Sequence, residues 1–347
     1  MVCATPWIRG WAMNSDSILS IRDLQVSFKT FDGDVRAVNG FNLDIGASET
    51  VGLVGESGCG KSVTAKAILG LLPKKAAMVD GQILFRNQEL LQLPEKEMLR
   101  IRGNDISMIF QEPMTSLNPV MKIGDQIAEA LVLHQDLSWT QARKKAIEML
   151  DRVHIPSPEV RVGNYPHSLS GGMRQRAMIA MALSCQPALL LADEPTTALD
   201  VTIQAQIMEL MLQLQTKLNT AILLITHDLG LIAESAERVL VMYAGRVVEE
   251  AMVADLFHDP LHPYTKGLLG SVPVLGAKFK SGSKSLDEIP GVVPSLFNLP
   301  DGCAFHPRCP KAMDICRKEM PPQTLFEPDR KVSCWLTTEK GVDHDAA

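Results

Sequence analysis

The chain has 347 residues, enough for two domains or for one large domain with an appendage. A hydrophobic share of 46% supports a substantial core, and a net charge of -6 removes any global electrostatic case for nucleic acid. No stretch approaches the ~18 uninterrupted apolar residues of a membrane span. The chain is therefore expected to be cytosolic with reduced thiols, and any membrane role must come through a partner.

Residues 1–17 read as an N-terminal extension. Met1 to Asp16 lacks the continuous apolar core of a secretory signal. It carries Trp7 and Trp11 without periodicity, and Met13 is a second candidate start site. Ile18 to Val26 alternates as a strand, Asp32-Gly33-Asp34 is a turn, and Val35 to Ile45 reads as a further strand closing the first sheet. The apolar run Thr50-Val51-Gly52-Leu53-Val54 is a buried strand, and a helical stretch from Ser62 to Leu71 follows. Between them Gly55-Glu56-Ser57-Gly58-Cys59-Gly60-Lys61-Ser62 spells G-x-x-x-x-G-K-S, the phosphate-binding loop in the strand–loop–helix context it needs. Glycines let the backbone turn its N–H groups onto phosphates, and the helix N-terminus adds partial positive charge. Lys61 would reach the β- and γ-phosphates and the Ser62 hydroxyl would ligate magnesium.

Met108 to Gln111 is a short apolar strand ending in a polar residue. Asp125 to His134, Thr140 to Val153 and Met173 to Cys185 have helical spacing, the last beginning just after Gly171-Gly172. Leu189 to Ala192 and Ala221 to Thr226 are the short, fully apolar runs of central parallel strands. Strands separated by helices predict an α/β sheet. The helix-rich stretch 113–184, lying between two core strands, predicts a helical subdomain.

Composition shifts near Asp255. The last 93 residues hold 11 of the 21 prolines and four of the seven cysteines, and regular patterns fade. The expected organisation is an α/β P-loop domain over 18–255 and an irregular cysteine-rich tail domain over 256–347, packed apart from the P-loop.

Asp193 ends an apolar strand, which sets a carboxylate at the sheet edge to hold magnesium directly or through water. Glu194, next in the chain, could polarise the attacking water. Gln111 could contact magnesium or water without adding charge. His227, after the strand Ala221 to Thr226, could hydrogen-bond the γ-phosphate. Ser170-Gly171-Gly172 precedes a helix and is a second anion-binding N-terminus. The P-loop already surrounds its own phosphates, so this second surface is read as serving a nucleotide on another subunit, with Ala198-Leu199-Asp200 near the same seam.

Together these residues resemble an ABC-type ATPase over roughly Ile18 to Leu256. The resemblance makes Gly55–Ser62 the Walker A loop, Gln111 the Q-loop and Leu169–Met173 the signature. It makes Leu189–Glu194 the Walker B strand, Ala198–Asp200 the D-loop and His227 the switch histidine. It also implies an aromatic stacked on adenine, with Phe28 ahead of Phe31. Met173 departs from the glutamine usual in the family, while the serine and glycines that contact phosphate are retained. His262-Pro263-Tyr264-Thr265-Lys266-Gly267-Leu268-Leu269 and Cys303-Ala304-Phe305-His306-Pro307-Arg308-Cys309-Pro310 resemble the tail of oligopeptide and dipeptide importer ATPases. So does Gln111-Glu112-Pro113-Met114-Thr115-Ser116-Leu117-Asn118-Pro119, where a permease coupling helix would dock. The resemblance implies ATP hydrolysis coupled to peptide uptake on the cytoplasmic face of the inner membrane. Its implied partners are two transmembrane permease subunits, a second ATPase subunit of a different chain and, indirectly, an extracytoplasmic peptide-binding protein.

Cys303, Cys309, Cys316 and Cys334 are separated by five, six and seventeen residues. The short C-x₂₋₄-C zinc knuckle is missing, and the spacing is neither ferredoxin pattern. The tail is similar to that of peptide-importer ATPases in which such cysteines hold an iron–sulfur cluster, which ranks a [4Fe-4S] cluster first, ordinary thiols second and zinc third. Two other readings remain at this point. One is a soluble, non-transport ABC-type ATPase acting on nucleic acid or ribosomes; such proteins usually carry two cassettes or long basic insertions, whereas this chain is acidic with one. The other is a redox-responsive regulatory tail with transport secondary.

Overall fold

The computed structural model describes residues 17–31, 33–111, 116–196, 200–271 and 289–341. An eight-stranded sheet forms the centre. Its parallel section runs β6 (Ile106–Ile109), β7 (Leu189–Asp193), β8 (Ala221–Thr226), β3 (Thr50–Val54) and β9 (Arg238–Tyr243). β10 (Arg246–Met252) then pairs antiparallel with β9, and β12 (Arg330–Val332) and β11 (Thr324–Glu327) from the tail extend the same sheet.

Strand residues alternate between the two faces, so a central strand buried on both sides is apolar throughout. Leu190, Ala192, Ile222, Leu224, Val239 and Val241 enter one hydrophobic cluster, while Leu189, Leu191, Leu223, Ile225, Leu240 and Met242 enter the other. The second cluster packs against a four-stranded antiparallel sheet in the order β2 (Gly33–Gly46), β1 (Ser17–Thr30), β4 (Ala77–Phe85), β5 (Gln88–Glu89), and against α1 (Lys61–Ile68) and α2 (Glu95–Ile101). β1 and β2 are the expected strands. They do not close the sheet, because β4 pairs along the other edge of β1.

The first cluster receives the helical region. α3 (Ile123–Gln135), α4 (Trp139–Arg152) and, after α5 (Pro158–Arg161), α6 (Gly171–Leu183) bury Ile127, Leu131, Ala146, Leu150 and Ile179 in it. Ser138 starts α4 with a reciprocal cap, its hydroxyl accepting from the Gln141 amide while the Gln141 side chain accepts from the Ser138 amide. After β7, α7 (Val201–Leu218) leads to β8, and α8 (Leu229–Ser235) leads to β9. Cys185 is buried just beyond α6, in the core as its apolar setting implies.

The tail is not packed apart. Besides adding two strands to the main sheet, it buries Tyr264 and Phe305 in the same cluster as Leu224 and Val241. Glu249 on β10, fully buried, accepts from the Leu261 and His262 amides at 2.8 and 2.9 Å and faces Arg330 at 3.6 Å. These ties begin α10 (Pro263–Gly270), which follows α9 (Val253–His258). Among the described residues no helix is long and apolar enough to cross a membrane.

Candidate active site

Four neighbouring parallel strands end at one edge of the sheet. β3 runs into 55–62, β8 into His227, β7 into Asp193-Glu194 and β6 toward Gln111. Residues far apart in sequence meet there because the carboxyl ends of adjacent parallel strands share one edge.

The loop after β3 is shaped by close backbone approach. A Cβ on Gly55 would stand 2.2 Å from the Met242 carbonyl oxygen, and one on Gly60, at φ 109°, would stand 2.3 Å from that of Ala37. Only glycine fits either position. Lys61 is buried, and its Nζ donates to the carbonyls of Gly55 at 2.7 Å and Glu56 at 3.0 Å, with Cys59 Sγ at 3.7 Å. A buried ammonium with only neutral acceptors is poised for an anion. Ser57 and Gly58 are exposed at the mouth of the loop.

Ser62 Oγ donates to Asp193 Oδ1 at 2.9 Å. Asp193 is 2% exposed, and burial pushes its carboxyl above the usual carboxylate range, partly countered by the Ser62 hydrogen bond. A hydroxyl and a desolvated carboxylate side by side suit a hard divalent cation. Glu194 sits apart from that pair. Its backbone is left-handed at φ 47°, and its amide donates to the Ile225 carbonyl at 2.8 Å. Its Oε2 accepts from Gln111 Nε2 at 2.9 Å, and its Oε1 meets His227 Nδ1 at 3.1 Å. A carboxylate accepts only, so Nδ1 carries the hydrogen in that contact. Gln111 thus places its amide nitrogen on Glu194. The edge separates two adjacent acids: Asp193 faces the P-loop helix, and Glu194 is held between a neutral amide and an imidazole.

Ser170 caps α6, its Oγ accepting from the Met173 amide at 3.3 Å. Ser170 and Gly171 are exposed, and a Cβ on Gly171 would meet nothing within 4 Å, so this N-terminus opens outward, with the half-buried Gly172 behind it. Gln175, buried on the same helix, donates to the Pro195 carbonyl and links it to the segment after Glu194. Asp200 caps α7 through the Ile203 amide at 3.0 Å. Ala198, Leu199 and the coupling stretch Glu112 to Thr115 lie outside the described residues, as does the N-terminal extension to Asp16. Phe28 is half-buried against the second cluster, whereas Phe31 stands fully exposed.

Cys303, Cys309, Cys316 and Cys334 line one small hollow with His262, Phe305 and His306. Burial pushes the thiols of Cys303, Cys309 and Cys334 up, the last to about 11. Among the described residues no group of three or more His, Cys, Asp or Glu is arranged to hold a single metal ion.

One connection has no counterpart in the sequence reading. Arg308, between Cys303 and Cys309, forms a two-pronged ion pair with the Glu56 carboxylate at 2.8 and 3.1 Å. Tyr264 Oη accepts from the Glu56 amide at 3.0 Å. The tail therefore touches the P-loop directly, contrary to the expected separate packing. The partners are 252 residues apart, and no local pattern announces such a pair.

The family description "ABC transporter" matches residues 38–197, and "Oligopeptide/dipeptide transporter, C-terminal region" matches 248–316. The dipeptide transport ATP-binding protein DppD of Bacillus subtilis is 52% identical over 94% of this chain and 96% of its own length. The oligopeptide transport ATP-binding protein OppD of Escherichia coli is 51% identical over 94% of this chain and 95% of its own. The chain belongs to the ATP-binding proteins of the oligopeptide/dipeptide ABC transporter family. Its cassette is also similar to the solved ATP-binding cassette MJ0796 bound to ADP and Pi, with a TM-score of 0.61 and 27% identity over 68% of this chain and 98% of that one. A cbiO1 structure from Clostridium perfringens, part of the transporter complex cbiONQ, matches with a TM-score of 0.60 over 70% of this chain.

Proposed function

We propose that this chain binds and hydrolyses ATP to power peptide uptake through partner permeases, as a peripheral subunit on the cytoplasmic face of the membrane. The single observation that carries the chemistry is the shared sheet edge, where the P-loop, Ser62–Asp193 and the Gln111–Glu194–His227 contacts meet. Lys61 exchanges its loop carbonyls for the β- and γ-phosphates. Ser62 and Asp193 would hold magnesium, which would neutralise phosphate charge. Glu194 orients and deprotonates the attacking water, His227 contacts the γ-phosphate, and Gln111 reports on this group from the segment expected to meet a permease. Phe28 serves adenine. The outward-facing Ser170–Gly172 N-terminus serves the nucleotide of a second ATPase subunit. The solute remains outside this chain, and the peptide assignment rests on the tail-family match and the relatives' names.

The four tail thiols are read as ligands of a [4Fe-4S] cluster. Their common hollow supports this. Thiols with raised pKa stay protonated at neutral pH, so loading must displace protons. The test of the main reading is Lys61→Ala in the complex with its permeases. ATP hydrolysis and peptide uptake should both be lost, and normal turnover would refute the P-loop assignment.

A further inference from the structure

Glu56 is the second residue of the P-loop, and all three of its polar groups are engaged. Its amide donates to Tyr264, its carboxylate is forked by Arg308, and its carbonyl accepts from Lys61 Nζ at 3.0 Å. Arg308 is itself fixed. Its side chain is 4% exposed, its Nε donates to the Pro290 carbonyl at 3.0 Å, a terminal nitrogen reaches the Ile289 carbonyl at 3.3 Å, and its guanidinium lies 5.9 Å from the centre of the Tyr243 ring. Tyr243 packs on Tyr264 at 4.6 Å and on Phe305 at 5.2 Å. A planar guanidinium with two carboxylate contacts and two carbonyl contacts sets orientation as well as charge.

We propose that Arg308 is a positioning residue for ATP: through Glu56 it fixes the P-loop backbone around Lys61 and cancels a carboxylate that would otherwise face the polyphosphate. The inference rests on reading 55–62 as the ATP site. Loss of Arg308 has two effects of one sign. The loop loses its outer anchor, and an unpaired negative charge is left beside an anionic ligand. Arg308 touches neither Glu194 nor His227, so binding is affected and the chemical step is not.

The experiment measures binding of magnesium AMP-PNP to the full chain by calorimetry, and ATP kinetics in the assembled transporter. Arg308→Gln should weaken binding by roughly 10-fold, within the usual range of coupling between sites. KM for ATP should rise by about the same factor with kcat changed less than about twofold. In a Glu56→Gln chain the same Arg308 substitution should alter affinity by less than about twofold, because the partner it acts through is gone. Arg308→Lys keeps charge but not the fork, should bind with intermediate affinity, and decides the matter alone if the glutamine variant does not fold. Wild-type affinity in the Arg308 variants, or an equal loss with and without Glu56, overturns the proposal. Absence of binding by the unsubstituted chain would instead refute the ATP-site reading.

Discussion

Acid should loosen the tail through one histidine. His262 is 1% exposed and caps α10, its Nδ1 accepting from the Tyr264 amide at 3.0 Å. That role requires the neutral ring with its hydrogen on Nε2. Burial lowers its pKa to about 3, against about 6.5 in an unfolded chain. Between these values the unfolded state binds the proton and the folded state does not. The contribution is therefore complete above about pH 6.5 and is lost as pH falls toward 3, at about 1.4 kcal/mol per unit. At pH 5 the loss is about 2 kcal/mol. His262→Asn keeps a capping side chain without a titrating group. Its smaller volume costs stability equally at both pH values, so the offset cancels. Urea unfolding of both proteins at about pH 7.5 and 5 should show the wild type losing about 2 kcal/mol more than the variant. Equal pH dependence in the two proteins would refute the assignment of a buried neutral His262.

Glu194→Gln keeps the volume between Gln111 and His227 but removes the base. Hydrolysis should slow roughly 10²- to 10⁴-fold with ATP binding retained, measured as phosphate release beside nucleotide affinity. Ser170→Arg fills the outward-facing helix N-terminus of α6. It should damage transport while this chain's own P-loop still binds ATP, as nucleotide titration of the isolated subunit would show. Anaerobically purified protein should be brown with about four irons per chain. Serine at Cys303, Cys309, Cys316 or Cys334 should lower the iron, whereas serine at Cys59 or Cys185 should not, by metal analysis. Because Arg308 lies between two of these cysteines, iron loss should also weaken ATP binding, where separate packing would have spared it.

The site was legible wherever local order announces it. β3, β7 and β8 are short apolar runs because both faces of the central sheet are covered, and each runs directly into its polar residue. The capping role of Ser170 likewise follows from a serine before a helical stretch. β4 was not legible. Its first six residues, around Asp80-Gly81, are exposed or half-buried, and only Ile83 and Phe85 at its end are buried in the second cluster, too few for a strand period to show. The β9–β10 hairpin carried a readable signal in Ala244-Gly245, both with positive φ, between valine-rich flanks. β11 and β12 are only four and three residues long, too short for periodicity to speak. Adjacent positions already divide the two acids into a magnesium carboxylate, Asp193, and a water-polarising one, Glu194, but their opposite surroundings depend on strand neighbours that only the folded sheet supplies.

The tail's weak patterning does not make it an appendage, because its bonds to the cassette are charged and buried. Glu249 is fully buried, and its partners come from Leu261, His262 and Arg330, all on the tail side of β10. Glu250, 4% exposed, is shared between Arg238 on β9 and Lys331 on β12. A buried carboxylate stripped of its partners costs more than the pair contributes while intact, about 3–5 kcal/mol for a broken buried pair. Both buried acids of the cassette strand β10 are thus paired to tail residues. The same tail places Tyr264 and Arg308 on Glu56, so the element that completes the sheet also holds the P-loop. If Arg308 positions ATP as proposed, whatever orders the turn between Cys303 and Cys309 acts on nucleotide binding through that residue, and Glu194, just past β7, lies outside that path.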